Sequence, residues 1–333
     1  MHPVEQRNRA MCRAWLAWLG NRGRSNVTVY QYAEKLEQLC QHAGERPLSA
    51  LTLSDLEAWI DRPRARRAHG AQGADATKGK DVVVVRGLYR FLVQRGHLAF
   101  DVTADLQAPA IRNHNPRAIP PEVWGAFWHA RELDDTERVV YGLGFFCGLR
   151  REEICRLAPD HFDTSEGRLV HFHRKGDRGK ASGTLPYLSC ARLFGEKRPD
   201  LIGIPEAFLE PLTALLGARQ GKPYLIPWGE AASLRRRADK PGAPPGMTSP
   251  DQVNRRLQLR LRRLGMPERV FTPHALRHSF VTYLLEMGVP LQVVSRLAGH
   301  ADVSITMRYV RLADDPLLQF LKSSEAGPLG LRR

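Results

Sequence analysis

A segment in the C-terminal third of the chain, TPHALRHSFVTYLLEMGVPLQVVSRLAGHADVSITMRYV, concentrates side chains that could handle an anion. Thr272 has the type of a helix N-cap and Pro273 that of a first helical residue, so a helix should begin just before His274. Arg277 and His278 follow His274 at i+3 and i+4, positions that share one helical face. The spacing therefore predicts a cationic cluster on the first turns of a helix, facing an anionic ligand.

The same segment also carries groups that could break a phosphodiester. That reaction needs a nucleophile, neutralisation of the phosphate and a proton for the leaving 5′-oxygen. Tyr309 could attack, Arg277 could hold two phosphate oxygens at once, and His274 and His300 could orient the phosphate and shuttle the tyrosine proton. Taken singly, His300 could cap a helix and Tyr309 could be a packing residue, so the interpretation depends on their combination.

The amino-acid composition also indicates an anionic ligand. The chain has 333 residues and a net charge of +15, from 50 Lys and Arg against 35 Asp and Glu, which favours a polyanion such as nucleic acid over an anionic membrane surface. We find no run of 18 apolar residues and no signal-peptide pattern, and we predict a cytoplasmic protein with no membrane partner. The five cysteines include no CxxC pair and indicate reduced thiols, and neither an acidic metal cluster nor a Walker-type glycine loop is present.

Proline and apolar spacing indicate how the chain is divided. Residues 1–105 show helical periodicity, with a capping box at Thr52 and Asp55, and DVVVVRGLYRFLVQRG keeps helical spacing despite its four valines. Residues 106–121 are rich in proline and show no apolar periodicity, which predicts a linker. A second domain over 122–333 is predicted to be mainly helical with a hairpin in GRLVHFHRKGDRGKASGTLPY; its third strand is either GTLPYL or DLIGIP.

Basic residues cluster in three places outside the quoted segment. RPRARRAHGAQGADATKGK, between two predicted helices, is interpreted as a loop that is either solvated or faces phosphates. A helix predicted to start at Ser249 carries five arginines between 255 and 263, with no acid among them until Glu268. Because these arginines would repel each other, we favour a phosphate-facing role. The predicted DNA-binding residues are Arg64, Arg66, Arg67, Lys78, Lys80, Arg174, Arg178, Arg255 and Arg256.

In order and spacing, H-x-x-R-H, then A-G-H, then a tyrosine nine residues later resemble the tyrosine recombinases, also called phage integrases. Upstream, CGLRREEI is similar to the family's box for its first catalytic arginine, here Arg150, with Glu153 at the supporting acidic position. RKGDRGK resembles the hairpin turn with the catalytic lysine, here Lys175. Arg174 stands where that turn usually has glycine, so Lys180 is the alternative. The helical amino-terminal region resembles the core-binding domain of Xer-like members.

The resemblance implies a set of catalytic roles. Arg150 joins Arg277 in clamping the phosphate, and Lys175 donates a proton to the leaving 5′-oxygen. Tyr309 forms a 3′-phosphotyrosine that a second DNA 5′-hydroxyl reverses, so neither cofactor nor metal is expected. His278 has a supporting role. The predicted catalytic residues are Arg150, Lys175, His274, Arg277, His300 and Tyr309.

The resemblance also implies a fold class and partners. The fold would be mainly α with a small β-sheet, in the two-domain recombinase architecture: a helical, SAM-like core-binding domain and a mixed α/β catalytic domain. The activity would be site-specific recombination of duplex DNA, in integration, excision or resolution, by a homotetramer with accessory DNA-bending or directionality proteins, associated with the nucleoid when bound to DNA. The alternatives are a type IB topoisomerase-like relaxing enzyme and a catalytically inactive DNA-binding module.

The chain beyond the nucleophile, VRLADDPLLQFLKSS, places four large apolar residues just past Pro316. Burial of such a side chain contributes about 1.5–3 kcal/mol, so the tail should not stay in water. It either folds back onto its own domain or, as the resemblance implies, docks into a neighbouring subunit.

Overall fold

The computed structural model describes residues 2–63, 70–109, 118–171, 185–197, 204–230, 244–267, 271–300 and 302–310. The chain divides into two compact units, one reaching from the N-terminus to residue 114 and the other formed by most of the rest, each with its own hydrophobic core. The predicted linker crosses this division, but residues 110–117 lie outside the described residues, so its limits stay a prediction. Within the described ranges, no helix is long and apolar enough to cross a membrane.

The first unit is helical in the part of the chain that the structure describes. The predicted capping box at its third helix is confirmed: the Thr52 hydroxyl accepts a hydrogen bond from the Asp55 amide, and the Asp55 carboxylate accepts one from the Thr52 amide. Its elements are α1 (Pro3–Asn21), α2 (Asn26–Ala43), a 3-10 turn (Leu48–Ala50), α3 (Leu53–Asp61) and α4 (Gly70–Gln94).

The valine-rich segment lies in α4, as its helical spacing predicts. Val82, Val85, Leu88 and Leu92 are at most 1% exposed, whereas Val83 on the opposite side is 57% exposed. One continuous apolar face therefore outweighs the β-propensity of four consecutive valines.

The interpretation of residues 62–80 as a loop is wrong over its second half, because α4 begins at Gly70. Alanine has the highest helix propensity and recurs through this stretch, so the local sequence can extend a helix that is fixed by packing further along. Lys78 and Lys80 are consequently helix residues rather than loop residues.

A buried charge cluster fixes α4 against its neighbours. The carboxylate of Asp81, on α4, is fully buried and accepts hydrogen bonds from Lys35 on α2 and, at 3.0 Å, from Arg62 just after α3. Arg62 also lies 4.1 Å above the ring of Trp59. A buried carboxylate needs such partners, so the cluster holds α2, α3 and α4 in one arrangement.

The second unit is larger, and α11 lies at its centre, in contact with α6, α12 and α13. The predicted N-cap at Ser249, the start of α10, is confirmed with Gln252 as its capping-box partner. The helices are α5 (Pro121–Trp128), α6 (Asp135–Phe146), α7 (Arg151–Arg156), α8 (Tyr187–Lys197), α9 (Ile204–Ala218), α10 (Pro250–Arg263), α11 (Pro273–Glu286), α12 (Leu291–Ala298) and α13 (Val303–Val310), with a 3-10 turn at Pro159–His161.

A small sheet accompanies these helices. β1 (Phe162–Asp163) and β2 (Arg168–Leu169) pair antiparallel, with the first residue of β1 opposite the last of β2. Leu169 also forms an antiparallel bridge with Leu185, so the pairing partner comes from GTLPYL. The turn of the predicted hairpin lies in 172–184, outside the described residues. The predicted mainly helical class with a small sheet is confirmed.

The core of the second unit surrounds α11 more completely than a single apolar stripe predicts. Leu276 and Phe280 are buried, and so are Ser279 and Thr282 at other angles around the helix. The difference arises because α6, α12 and α13 cover several sides of α11. Its first turns present polar side chains, among them the exposed His274.

Candidate active site

Four elements of the second unit carry the predicted catalytic residues that the structure describes. The start of α11 is fixed by Thr272, whose hydroxyl accepts a hydrogen bond from the Ala275 amide at 3.1 Å, and this places His274 and Arg277 on the first turns. The others lie at the start of α7, directly after α12 and in the last turn of α13: Arg150, His300 and Tyr309.

Arg150 is held by an acid and by a backbone carbonyl. Its Nη1 donates to Oε1 of Glu153 at 2.7 Å, and its amide donates to Oε2 of the same carboxylate at 2.8 Å. Its Nη2 donates to the carbonyl of Gly299 at 3.0 Å. Glu153 is almost fully buried, so its fixed carboxylate orients the guanidinium of Arg150.

Arg277 is 4% exposed and spans the same two parts of the chain. Its Nη1 donates to the carbonyl of Gly148 at 2.6 Å and its Nη2 to the carbonyl of Ala298 at 2.5 Å. The carbonyls at a helix C-terminus carry partial negative charge, which favours a cation there. The two arginines therefore lie side by side between the turn before α7 and the end of α12.

Two glycines permit this arrangement. Gly148 has φ +62°, and a Cβ placed on it would lie 2.3 Å from Cδ1 of Phe280, so the turn before Arg150 can pass close to α11 only without a side chain. Gly299 ends α12 in the left-handed conformation and turns the chain into His300.

His300 is oriented by a contact from α13. Its Nδ1 lies 2.7 Å from the hydroxyl of Thr306, which is fully buried on α13, one turn before Tyr309. The rings of His300 and Tyr309 lie nearly parallel with centroids 6.3 Å apart. The imidazole is thus placed beside the phenol by a contact from the same helix.

Tyr309 is 4% exposed, and its hydroxyl lies 2.5 Å from Nδ1 of His278. Burial raises the pKa of the phenol, although nearby arginines act in the opposite direction. Burial also lowers the pKa of His278 to about 4, and the charges of His274 and Arg277 lower it further. At neutral pH the pair is therefore a protonated phenol and a neutral imidazole.

His274 presents an exposed edge at the start of α11. Partial burial lowers the pKa of its imidazole, an effect that the carboxylate of Glu152 opposes and the charge of Arg151 supports. A largely neutral His274 can donate one hydrogen bond to an incoming phosphate without adding charge.

Together these groups suit a phosphodiester. Each of the two fixed guanidinium groups carries several N–H donors, imidazoles flank them, and a phenol lies beside the imidazoles. In the part of the chain that the structure describes, no group of three or more His, Cys, Asp or Glu is placed to hold a metal ion.

Several predicted residues lie outside the described residues, so their roles stay predictions. They include the proposed catalytic lysine with its alternative and basic residues of two segments that were predicted to be turns or loops: Lys175, Lys180, Arg174, Arg178, Arg64, Arg66 and Arg67.

The described DNA-binding candidates lie on two helices, one in each unit. On α4, Lys80 is exposed and Lys78 forms an ion pair with Asp61 at 2.7 Å. On α10, Arg255 is exposed, and Arg256 lies 4.4 Å above the ring of Trp228. All four keep positive charge at the surface, and their contact with DNA stays a prediction.

Not every arginine of α10 lies at the surface. No acid lies among these arginines in the sequence, but Arg260 donates to Glu137 on α6 at 2.6 Å, and both side chains are largely buried. Arg260 is therefore a packing residue, because the fold supplies a carboxylate from 123 residues away. We keep the predicted phosphate-facing role only for the remaining, exposed arginines.

Sequence reasoning undervalued His278 and missed Thr306. The signal for His278 was present, since it shares the helical face of His274 and follows Arg277 directly. The signal for Thr306 was its position three residues before Tyr309, which is one helical turn. Neither spacing alone says which ring atom meets which hydroxyl.

Comparison with known proteins covers both units. Residues 245–315 match the phage integrase family, and residues 12–96 match the N-terminal SAM-like domain of phage integrases. The first region contains the described part of the site on α11 to α13. The second lies within the N-terminal helical unit.

Individual proteins match along nearly the whole chain. The tyrosine recombinase XerC of Rhodospirillum centenum is 31% identical over 93% of this chain and 85% of its own, and XerD of Corynebacterium glutamicum is 29% identical over 93% and 95%. Among solved structures, a lambda integrase dimer bound to a COC′ core site has a TM-score of 0.63 at 15% identity, covering 92% of this chain and 95% of that one. A lambda integrase tetramer bound to a Holliday junction has a TM-score of 0.61 at 15% identity, covering 88% and 77%.

Proposed function

This chain belongs to the phage integrase family of tyrosine recombinases, enzymes of site-specific DNA recombination, and we propose that its nucleophile is Tyr309. The observation that supports this assignment is the convergence of a buried phenol, imidazoles and two fixed arginines from four separate elements. We reject the alternative of a type IB topoisomerase-like enzyme, because the relatives that match over most of the chain are recombinases.

We propose the following division of roles. Tyr309 attacks the phosphorus, the bond to the 5′-oxygen breaks, and a 3′-phosphotyrosyl linkage forms. Arg150 and Arg277 neutralise the non-bridging oxygens, which a guanidinium can bind through two donors at once. His274 and His300 orient the phosphate, and Lys175 gives the leaving oxygen its proton.

Reversal of the same step joins a new strand. A 5′-hydroxyl of a second DNA attacks the phosphotyrosine, the phenol leaves, and the number of phosphodiester bonds is unchanged. The proposed chemistry therefore needs no cofactor and no metal ion.

The proposed partner is duplex DNA with a specific recombination site. The lambda integrase structures hold that protein as a dimer on a core site and as a tetramer on a Holliday junction. By analogy, we propose a homotetramer of this chain on paired sites, with accessory DNA-bending or directionality proteins and a nucleoid location when bound. Residues 1–105 and 122–333, joined by 106–121, would both contact the DNA.

Covalent capture tests the proposal. A pool of nicked duplexes with random sequence traps the enzyme, because the short strand downstream of cleavage diffuses away and rejoining fails. We expect wild-type protein to form a DNA adduct that survives a denaturing gel, with or without excess EDTA. Recovered DNA should share one sequence. Absence of any adduct, or an adduct lost with EDTA, would contradict the proposal.

A further inference from the structure

The proton of Tyr309 has a specific neighbour in the described structure. The phenol oxygen lies 2.5 Å from Nδ1 of His278, and the two ring centroids are 5.5 Å apart. The corresponding nitrogen of His300 instead contacts the hydroxyl of Thr306 at 2.7 Å. His274 lies one turn earlier on α11, with its ring 6.3 Å from that of His278.

We propose that His278, rather than His274 or His300, is the base that takes the proton from Tyr309 when the tyrosine attacks DNA. The proposal rests on the proposed function and assigns one proton within it. His278 touches the reacting oxygen, so it is a catalytic residue in this account.

The step balances without another reactant. The Tyr309 Oη–H bond breaks and its proton moves to Nδ1 of His278, while Oη bonds to phosphorus. The bond between phosphorus and the 5′-oxygen breaks, and that oxygen takes a proton from its own donor, for which Lys175 is proposed. In rejoining, the imidazolium returns its proton to the departing phenolate.

Charge and burial suit this role. Because His278 is neutral at neutral pH, an imidazole lone pair is available to the phenol, whose own proton is retained. Among the described residues, the titratable and charged groups around the pair are His274 and Arg277 on α11, His300 after α12, Arg308 on α13 and Arg150 before α7. These arginines stabilise a phenolate, and an incoming phosphodiester adds the negative charge that makes the imidazole more basic.

The first test replaces His278 by asparagine. In His278→Asn, the amide keeps a hydrogen-bonding group near the former Nδ1 but cannot take a proton. We expect the single-turnover rate of adduct formation, on a nicked duplex with the captured sequence, to fall by about 10²–10⁴-fold. DNA affinity should be unchanged. His129→Asn, at an exposed histidine of the same unit, is the matched control and should react like wild type.

A second test separates a base from an acid or from a structural role. Replacing the bridging 5′-oxygen by sulfur creates a leaving group that needs no proton. This substrate should restore cleavage by Lys175→Ala and leave His278→Asn slow. Conversely, a fluorinated tyrosine at position 309 has a more acidic phenol, so it should speed His278→Asn much more than wild type.

Three results would overturn the proposal. They are a wild-type rate in His278→Asn, rescue of that variant by the sulfur substrate, and failure of the fluorinated tyrosine to speed it. Unchanged DNA affinity of His278→Asn excludes misfolding, so a failed rescue cannot be attributed to a lost fold. These failures differ from failure of the proposed function, in which wild-type protein itself would form no adduct.

Discussion

Tyr309 is almost fully buried and hydrogen-bonded, and in the proposed reaction its phenol proton must move to a neighbouring side chain. Arg150 and Arg277, which we propose to bind the phosphate, are each anchored to a backbone carbonyl at the end of α12. In the proposed reaction, such preorganisation would reduce the rearrangement that phosphate binding needs.

Stability at low pH should report the state of His278. Its pKa is about 4 in the folded protein and near 6.5 when unfolded, so the unfolded chain binds more protons between these values. The contribution of His278 to the free energy of unfolding is therefore fully present above pH 6.5. It is lost as the pH falls towards 4 and below, by up to about 3 kcal/mol. Urea unfolding at pH 7 and pH 4.5 should show a smaller loss in His278→Asn than in wild type. Equal losses in both proteins would contradict the buried, neutral imidazole.

The contact between Thr306 and His300 should matter for rate more than for stability. Thr306→Val keeps the shape but removes the hydroxyl that orients His300, whereas Thr306→Ser keeps the hydroxyl. Because one hydrogen bond has a net value of about 0.5–1.5 kcal/mol, we expect the valine variant to form adduct about two- to tenfold more slowly. Thr306→Ser should approach wild type. A slower serine than valine variant would refute the orienting role.

Helix starts could be predicted from sequence, because their stabilising contacts are local. Thr272, Ser249 and Thr52 each cap a helix through an amide three residues ahead. The early start of α4 and the pairing of Arg260 could not be predicted, because both depend on distant parts of the chain. For the site, the resemblance supplied the residues, whereas the carbonyl contacts of the arginines and the phenol–imidazole pair required coordinates.

The turn between α6 and α7 should tolerate a side chain less well than an open turn. Gly148→Ala and Gly288→Ala both place alanine at positive φ, which costs on the order of 1 kcal/mol. Only Gly148→Ala also drives a Cβ into Phe280, whereas Gly288 faces open space. Urea unfolding should show Gly148→Ala to be less stable than its control by about 1–3 kcal/mol. Equal stabilities would show that this turn does not need glycine.

Taken as a whole, the molecule combines a basic composition with two compact units. The predicted catalytic residues that the structure describes all come from the second unit, so the fold of that unit alone brings them together. Assembly on paired DNA sites needs contacts between subunits, and we predict that the chain beyond α13 makes them. That segment lies outside the described residues.

Truncation after Asp315 should separate binding from assembly. The shortened protein loses the apolar residues that follow Pro316, which we predict to dock into a neighbouring subunit. It should remain folded and bind one site, yet lose cooperative binding to two sites and recombination with it. Gel shifts on one-site and two-site DNA measure this. Unchanged cooperativity would rule out docking between subunits, and unfolding would favour a tail folded onto its own domain.

The central claim is that Tyr309 carries the DNA during the reaction, and peptide mapping of the trapped adduct tests it most directly. Digestion of the adduct with protease and nuclease, followed by mass spectrometry, identifies the tyrosine that bears a nucleotide. We predict a single modified peptide containing Tyr309, and none from Tyr309→Phe. A nucleotide on Tyr283, whose buried hydroxyl donates to the carbonyl of Ile119, or on any other residue would contradict the account.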